Sequence, residues 1–97
     1  IFGPVLPIIK YTDADDVIAL ANDNEYGLSA YVYTTNLQRG LQAADQIKAG
    51  SVCVNEVHYG VHLPHGGLKQ SGVGKDCSQY SLTEYLTLKR VSVQISE

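Results

Sequence analysis

The pattern of apolar and polar residues in the first half of the chain predicts strands that alternate with helices. Residues 5–11 are apolar and β-branched, which is typical of a strand, and Pro7 within them indicates a short or edge strand. Thr12 or Asp13 is positioned to cap a helix over Ala14–Asn22, whose first turn is acidic and so complements the helix dipole.

The next residues predict a second helix between two further strands. Residues 30–35 carry aromatic and β-branched side chains, which favour a strand. Asn36 is a favourable N-cap for a helix over residues 37–47, where apolar side chains recur every three or four positions on one face. Gly50 suits the end of that helix, and the apolar residues 51–55 predict a third strand directly after it.

These elements define an α/β fold with the order β-α-β-α-β and parallel strands. A parallel sheet is covered on both faces in a three-layer arrangement. Two helices packed on one face would leave the other face bare, so we expect polypeptide outside these residues to cover it. A glycine-rich loop over 56–75 follows, and then a short helix over 78–86, in which Ser81 and Glu84 have capping-box spacing. Residues 87–96 alternate apolar and polar and predict a last strand with no obvious partner in the chain.

The size and composition of the chain indicate a piece of a longer protein. Its 97 residues are enough for one small domain. The sequence begins at Ile1 and contains no methionine, which favours a fragment. Charged residues make up 18% of the chain and apolar residues 44%, whereas a typical soluble domain is about 25% charged. We therefore expect part of its surface to be buried against other chain.

Charge and hydropathy exclude two classes of partner. The net charge is -3 and the isoelectric point is near 5.5, which gives no basic surface for a nucleic acid. The longest apolar runs fall well short of the roughly 20 residues that span a membrane, and no signal-peptide pattern is present. Two cysteines are far too few for a disulfide scaffold, so we expect a cytoplasmic protein.

The candidate chemical groups do not form a complete active site. Cys53 lies within the third predicted strand as a buried, inert thiol, and no histidine is linked to Cys77 by a recognisable spacing. His58, His62 and His65 leave a metal site open as a minor alternative, although no cysteine pair or carboxylate completes a ligand pattern. The glycine loop lacks the third glycine of a dinucleotide fingerprint and the Ser or Thr of a P-loop. We assign no catalytic residue and no metal ligand.

Five short motifs occur in order along nearly the whole chain. They are IFGPV at residues 1–5, NDNEYGL at 22–28, AGSVCVN at 49–55, PHGGLKQSG at 64–72, and Glu84, Tyr85 and Lys89 in an E-Y-x-x-x-K pattern. Together they resemble the C-terminal fifth of the aldehyde dehydrogenase superfamily, and PHGG resembles its aminoaldehyde branch, which includes γ-aminobutyraldehyde and betaine aldehyde dehydrogenases.

This resemblance implies a parent enzyme that oxidises an aldehyde to a carboxylate with NAD or NADP. The family's nucleophilic cysteine and general-base glutamate lie upstream of the matching segment, so the 97 residues alone are expected to be inactive. Residues 1–81 correspond to the C-terminal part of the catalytic domain. Residues 82–97 correspond to an oligomerisation arm, which adds a strand to a neighbouring subunit. The implied partners are the rest of the parent polypeptide, a small aldehyde and further copies of the subunit.

The resemblance also implies roles for individual residues. Phe2 matches the aromatic residue beside the nicotinamide ring. The residues that match the wall of the aldehyde tunnel are Asn55, Val57, His58 and His65. The main-chain carbonyls of Lys69 and Gly72 match a potassium site between subunits in some relatives, which stays open here because carbonyl ligands leave no side-chain signal.

Two alternatives remain beside this interpretation. A free-standing assembly module would use the unpaired strand at 87–96 and the bare sheet face to bind a partner. A small metal-binding protein would use the three histidines.

Overall fold

The structure, a computed structural model, describes residues 2–96. Ile1 and Glu97, the outer ends of the two predicted units 1–81 and 82–97, lie outside the described residues. In chain order, the elements are α1 (Ala14–Asn22), β1 (Tyr26–Gly27), β2 (Ser29–Val32), α2 (Leu37–Gln46), β3 (Ser51–Val54), β4 (Leu68–Lys69) and a 3₁₀ helix, η1 (Gln79–Tyr85).

Both α-helices begin where the sequence predicts. The Asp13 carboxylate accepts a hydrogen bond from the backbone N–H of Asp15 at 2.8 Å, which satisfies one free donor of the first turn of α1. Asn36 caps α2 in the same way, because its Oδ1 accepts from the backbone N–H of Arg39 at 3.1 Å. The predicted helices and their caps are confirmed, although α2 ends at Gln46, one residue before the predicted limit.

The centre of the fold is a parallel pair of strands joined by α2. β2 and β3 pair in parallel, in a register that runs from Ser29 opposite Ser51 to Val32 opposite Val54. Helix α2 packs closely on them at Gly40, where an added Cβ would lie 2.8 Å from Cγ1 of Val54. The predicted β-α-β unit is thus present, and the α/β class is confirmed.

The predicted strand at 5–11 is not formed in the described chain, and that prediction is wrong. The strand at 87–96, which was expected to lack a partner in its own chain, stays a prediction. Neither segment has a ladder partner among residues 2–96, and backbone groups without a partner cannot make a strand. The sheet around β2 therefore has two strands and not three. The complete three-layer arrangement stays a prediction.

A second, antiparallel pair was not predicted from the sequence. Its two strands, β1 and β4, place Tyr26 opposite Lys69 and Gly27 opposite Leu68. This pair joins the turn after α1 to the glycine-rich loop.

The short helix near residue 80 is confirmed as a 3₁₀ helix, but its predicted cap is wrong. The hydroxyl of Ser78 accepts from the backbone N–H of Tyr80 at 3.2 Å, so the cap is Ser78. Ser81 instead donates its hydroxyl to the carbonyl oxygen of Ser78 at 3.0 Å, and it does not start a capping box with Glu84. The capping-box spacing was misleading because the helix begins one turn earlier.

The described chain has no hydrophobic core of its own. Among residues 2–13 and 15–96, whose burial the structure describes, no hydrophobic side chain is buried; the buried residues there are Gly27, Gly40 and Gly67. The accessible surface is 8756 Å², whereas a compact protein of this mass exposes about 5,400 Å². The radius of gyration is 19.2 Å, against about 13 Å for a compact domain of this length. None of the helices in the described part of the chain is long and apolar enough to cross a membrane.

Candidate functional site

The candidate site is the glycine-rich loop over 56–75 and the residues that hold it. β4 attaches the loop to the fold by pairing with β1, and the hydroxyl of Ser71 accepts from the backbone N–H of Gly27 at 3.0 Å. The ammonium of Lys69 donates to the carbonyl oxygens of Asn22 at 2.9 Å and Asn24 at 3.0 Å. These carbonyls lie at the C-terminal end of α1, where a cation also interacts favourably with the helix dipole.

The segment that carries His65 is held from two sides. The ammonium of Lys75 donates to the carbonyl oxygens of Gly66 at 2.8 Å and Gly67 at 3.4 Å. On the other side, Gly50 lies so close that an added Cβ would collide with the Gly66 carbonyl oxygen. The backbone at Gly66 and Gly67 is therefore fixed between Lys75 and the start of β3.

His65 belongs to a group of four side chains, here called the His65 cluster: Tyr59, His65, Asp76 and Cys77. His65 and Asp76 form a two-way backbone bridge, with N–O distances of 2.9 and 2.8 Å. His65 Nδ1 also lies 3.0 Å from Asp76 Oδ1. The ring of Tyr59 meets that of His65 edge to face, with centroids 5.4 Å apart and planes at 74°. Tyr59 Oη lies 3.1 Å from Cys77 Sγ.

The surroundings raise the pKa of Tyr59. The main cause is the hydrogen bond with Cys77, and negative charge at Cys77 and Asp76 also opposes ionisation of the phenol. Tyr59 therefore keeps its proton, and the cluster keeps this hydrogen bond, to a higher pH than an isolated tyrosine would allow.

The predicted tunnel residues divide into two groups. Asn55, Val57 and His58 follow β3 and are exposed. Asn55 adopts a left-handed backbone with φ of 59°, and its Oδ1 accepts from the backbone N–H of Thr34 at 2.8 Å. Its side-chain oxygen is thus used to hold the turn after β3. The second group is His65 alone, which lies in the His65 cluster with its ring packed against that of Tyr59.

Phe2, the predicted cofactor residue, is fully exposed. Its ring is accessible over its whole surface, as a ring must be if it is to pack against a partner from outside these residues.

The two cysteines are free thiols. Cys53 is half-buried, and its Sγ lies 3.8 Å from the carbonyl oxygen of His58. The prediction that it is buried is therefore wrong, because β3 has a strand neighbour on only one edge among residues 2–96. The thiol of Cys77 pairs with a phenol and not with a histidine, so the base that would activate a nucleophile is not at hydrogen-bond distance.

The three histidines do not converge. The rings of His58 and His62 are 6.4 Å apart and tilted, while His65 pairs with Asp76. Within residues 2–96, no group of three or more histidine, cysteine, aspartate or glutamate side chains is arranged to hold a metal ion. At the position that matches a potassium site in some relatives, the Lys69 carbonyl accepts from the N–H of Gly72 at 3.3 Å, and Lys69 has a positive φ of 54°.

An open cavity of about 410 Å³ lies beside the His65 cluster. Among the residues that line it are His65, Asp76, Glu84 and Tyr85. Sequence reasoning missed Tyr59 and Asp76, and it considered Cys77 only as a nucleophile. No spacing rule connects residues 59 and 65 with residues 76 and 77.

The geometry can be compared with proteins of known class. Residues 1–91 match the sequence model of the aldehyde dehydrogenase family. A betaine aldehyde dehydrogenase from Brucella melitensis biotype 2 (strain ATCC 23457) is 43% identical over 98 aligned residues, which cover 100% of this chain and 20% of the relative.

Solved structures show the same similarity in three dimensions. The NAD+ complex of an aldehyde dehydrogenase from Bacillus cereus superimposes with a TM-score of 0.92 at 40% identity, over 98% of this chain and 20% of that one. An indole-3-acetaldehyde dehydrogenase mutant from P. syringae, in complex with NAD+ and IAA, gives a TM-score of 0.86 at 44% identity, over 91% and 18%. The chain belongs to the aldehyde dehydrogenase family. It spans about a fifth of the length of the curated relatives that it matches.

Proposed function

We propose that this chain is the C-terminal part of an NAD(P)-dependent aldehyde dehydrogenase that oxidises an aminoaldehyde to a carboxylate. The observation that carries the proposal is the match along essentially the whole chain to aldehyde dehydrogenases, including one named for betaine aldehyde. The exposed surface supports it independently. The chain exposes about 3,300 Å² more than a compact protein of this mass, and a larger enzyme would cover that surface.

In this proposal the chain shapes the site and does not perform the chemistry. NAD or NADP, when bound, accepts the hydride from the substrate, and a cysteine nucleophile elsewhere in the parent forms the covalent intermediate. Phe2 would pack against the nicotinamide, and its exposed ring fits this role. Cys53 and Cys77 remain structural thiols.

The tunnel wall is the chain's contribution to substrate binding. Asn55, Val57 and His58 form one part of it, on the turn that the Asn55 side chain holds against Thr34. His65 forms another part, on a backbone held by Lys75. A wall fixed in this way orients the substrate and excludes water, which lowers the entropic cost of reaching the reactive geometry.

The arm at residues 82–97 is proposed to join subunits of a homo-oligomer. The 3₁₀ helix η1 includes residue 82, where the arm begins. The residues after this helix carry apolar side chains that alternate with polar ones and are exposed. Their exposed fractions are 99% for Leu88, 72% for Val91, 77% for Val93 and 90% for Ile95. Such an unpaired segment is suited to add a strand to the sheet of a neighbouring subunit. A cytoplasmic location for the parent, where both thiols stay reduced, remains part of the proposal.

The test is an activity assay on the protein made from the complete native gene. The reduction of NAD and of NADP is followed with 4-aminobutanal, betaine aldehyde and butanal as substrates. We expect aldehyde-dependent reduction of at least one cofactor, with an aminoaldehyde preferred over butanal, and no turnover by the isolated 97 residues. A complete gene product that reduces neither cofactor with any of the three aldehydes would refute the proposal, as would turnover by the isolated chain.

A further inference from the structure

The contact between His65 and Asp76 determines which nitrogen of the imidazole carries a hydrogen. Nδ1 lies 3.0 Å from Asp76 Oδ1, and the ionised carboxylate can only accept a hydrogen bond. Nδ1 must therefore be the protonated nitrogen. In the neutral imidazole, Nε2 is then left as an acceptor with a free lone pair.

The rest of the cluster keeps the ring in this orientation. The two-way backbone bridge between His65 and Asp76 fixes both residues relative to each other, with N–O distances of 2.9 and 2.8 Å. The rings of Tyr59 and His65 pack edge to face, and Lys75 holds the next two carbonyls of the loop. A rotation of the imidazole would break the Asp76 contact and the packing on Tyr59. Within residues 2–96, no hydrogen bond is made by His65 Nε2.

We propose that Asp76 is a positioning residue that holds His65 with Nδ1 protonated, so that the Nε2 lone pair accepts a hydrogen bond from the primary ammonium group of an aminoaldehyde. This inference rests on the proposed function, which places His65 in the tunnel wall. It adds a preference within the substrate class. A primary ammonium has three N–H donors, whereas a trimethylammonium group has none and cannot use the Nε2 lone pair.

The effect is expected in substrate binding and not in the chemical step. The ammonium group is remote from the reacting carbonyl, so its hydrogen bond is the same in the ground state and in the transition state. Losing such an interaction raises KM and leaves kcat unchanged. A hydrogen bond to a charged group is expected to change KM by about tenfold to a hundredfold.

The experiment uses the complete parent enzyme and three variants, His65→Phe, Asp76→Ala and the double variant. KM and kcat are measured for 4-aminobutanal, trimethylaminobutanal and butanal. We expect His65→Phe to raise KM for 4-aminobutanal by about tenfold or more, with the other two aldehydes changed less than about twofold. Asp76→Ala should give a smaller rise for 4-aminobutanal, because the ring can then turn or change tautomer. In the His65→Phe background, Asp76→Ala should have no further effect.

Glu84→Gln is the matched control. Glu84 lines the same cavity as His65 and Asp76 but is not hydrogen-bonded to either, so its substitution removes a negative charge without releasing the imidazole. We expect KM for 4-aminobutanal to change less than about twofold. An equal loss in Glu84→Gln and Asp76→Ala would show general attraction of cations and would overturn the role of His65.

Other outcomes distinguish a failure of this inference from a failure of the proposed function. If the parent oxidises aldehydes but His65→Phe changes all three substrates equally, this inference fails and the proposed function stands. If Asp76→Ala lowers kcat for every substrate, or acts equally in the His65→Phe background, Asp76 is a structural residue only. If the parent oxidises no aldehyde with either cofactor, the proposed function itself fails.

Discussion

Replacement of Gly50 by alanine tests whether the start of β3 positions the loop that carries His65. The added Cβ would collide with the carbonyl oxygen of Gly66, and it would lie 2.8 Å from the Gly66 carbonyl carbon and 3.1 Å from Cα of Gly67. All three atoms belong to the backbone, so no side chain can rotate away. The loop or the strand must move instead.

The size of this movement sets the expected cost. Carbon atoms in contact prefer separations of about 3.5 to 4.0 Å, and the carbonyl oxygen of Gly66 is closer to the added Cβ than either carbon atom. The backbone at residues 66–67 therefore has to shift by about an ångström or more. Overpacking of this kind destabilises a protein by about 1 to 3 kcal/mol. In the complete enzyme we therefore expect Gly50→Ala to lower the thermal midpoint and to raise KM for the aldehyde, because His65 moves with the loop.

Gly40→Ala is the matched control for this experiment. Its Cβ would lie 2.8 Å from Cγ1 of Val54 and 3.1 Å from Cγ2 of Thr34, which are side-chain methyl groups and not backbone atoms. Alanine within a helix also stabilises it by about 1 kcal/mol relative to glycine, so the net loss should be smaller than that of Gly50→Ala. A Gly50→Ala enzyme with the midpoint and KM of the native enzyme would refute the close contact. A loss equal to that of Gly40→Ala would refute the distinction between backbone and side-chain neighbours.

Three further results are expected from the complete enzyme. Val91→Lys should weaken subunit association in sedimentation analysis, while Ser92→Lys, on the opposite face of the proposed arm strand, should not; equal effects would contradict the strand alternation. Cys53→Ala and Cys77→Ala should each keep kcat within about twofold of native, and loss of all turnover in either would contradict their structural role. The stability advantage of the native enzyme over Tyr59→Phe, measured from urea midpoints, should be present below the unfolded-state pKa of about 10. Because the folded-state pKa is raised, it should be lost as the pH rises through that higher value; an advantage unchanged through about pH 11 would contradict the Tyr59 assignment.

The elements with local signals were predictable from the sequence. α1 and α2 begin at side chains that cap them, Asp13 and Asn36, and capping needs only the next two or three residues. β2 and β3 flank α2 at the spacing of a β-α-β unit, so their parallel pairing follows from the connection. The family assignment rested on five short motifs, each of which is a local stretch of sequence.

The elements that depend on distant partners were not predictable. Residues 5–11 have the side chains of a strand, but a strand also needs hydrogen-bonded neighbours, and the described residues supply none. β1 and β4 have two residues each and are far apart in the sequence. Strands of two residues are too short to show a periodicity. The contact of His65 with Asp76 depends on the path of the glycine loop between them. Charge and composition do not encode that path.

The most direct test of the central claim is the intact mass of the native gene product, captured from its source cells with an antibody to this segment and measured by mass spectrometry. Because the chain corresponds to 20% of the Brucella relative, we expect a product about five times its own 10.5 kDa. A product of that size would make these residues part of a full-length protein, as the proposed dehydrogenase requires. A product close to 10.5 kDa would contradict the account and would identify a free-standing module.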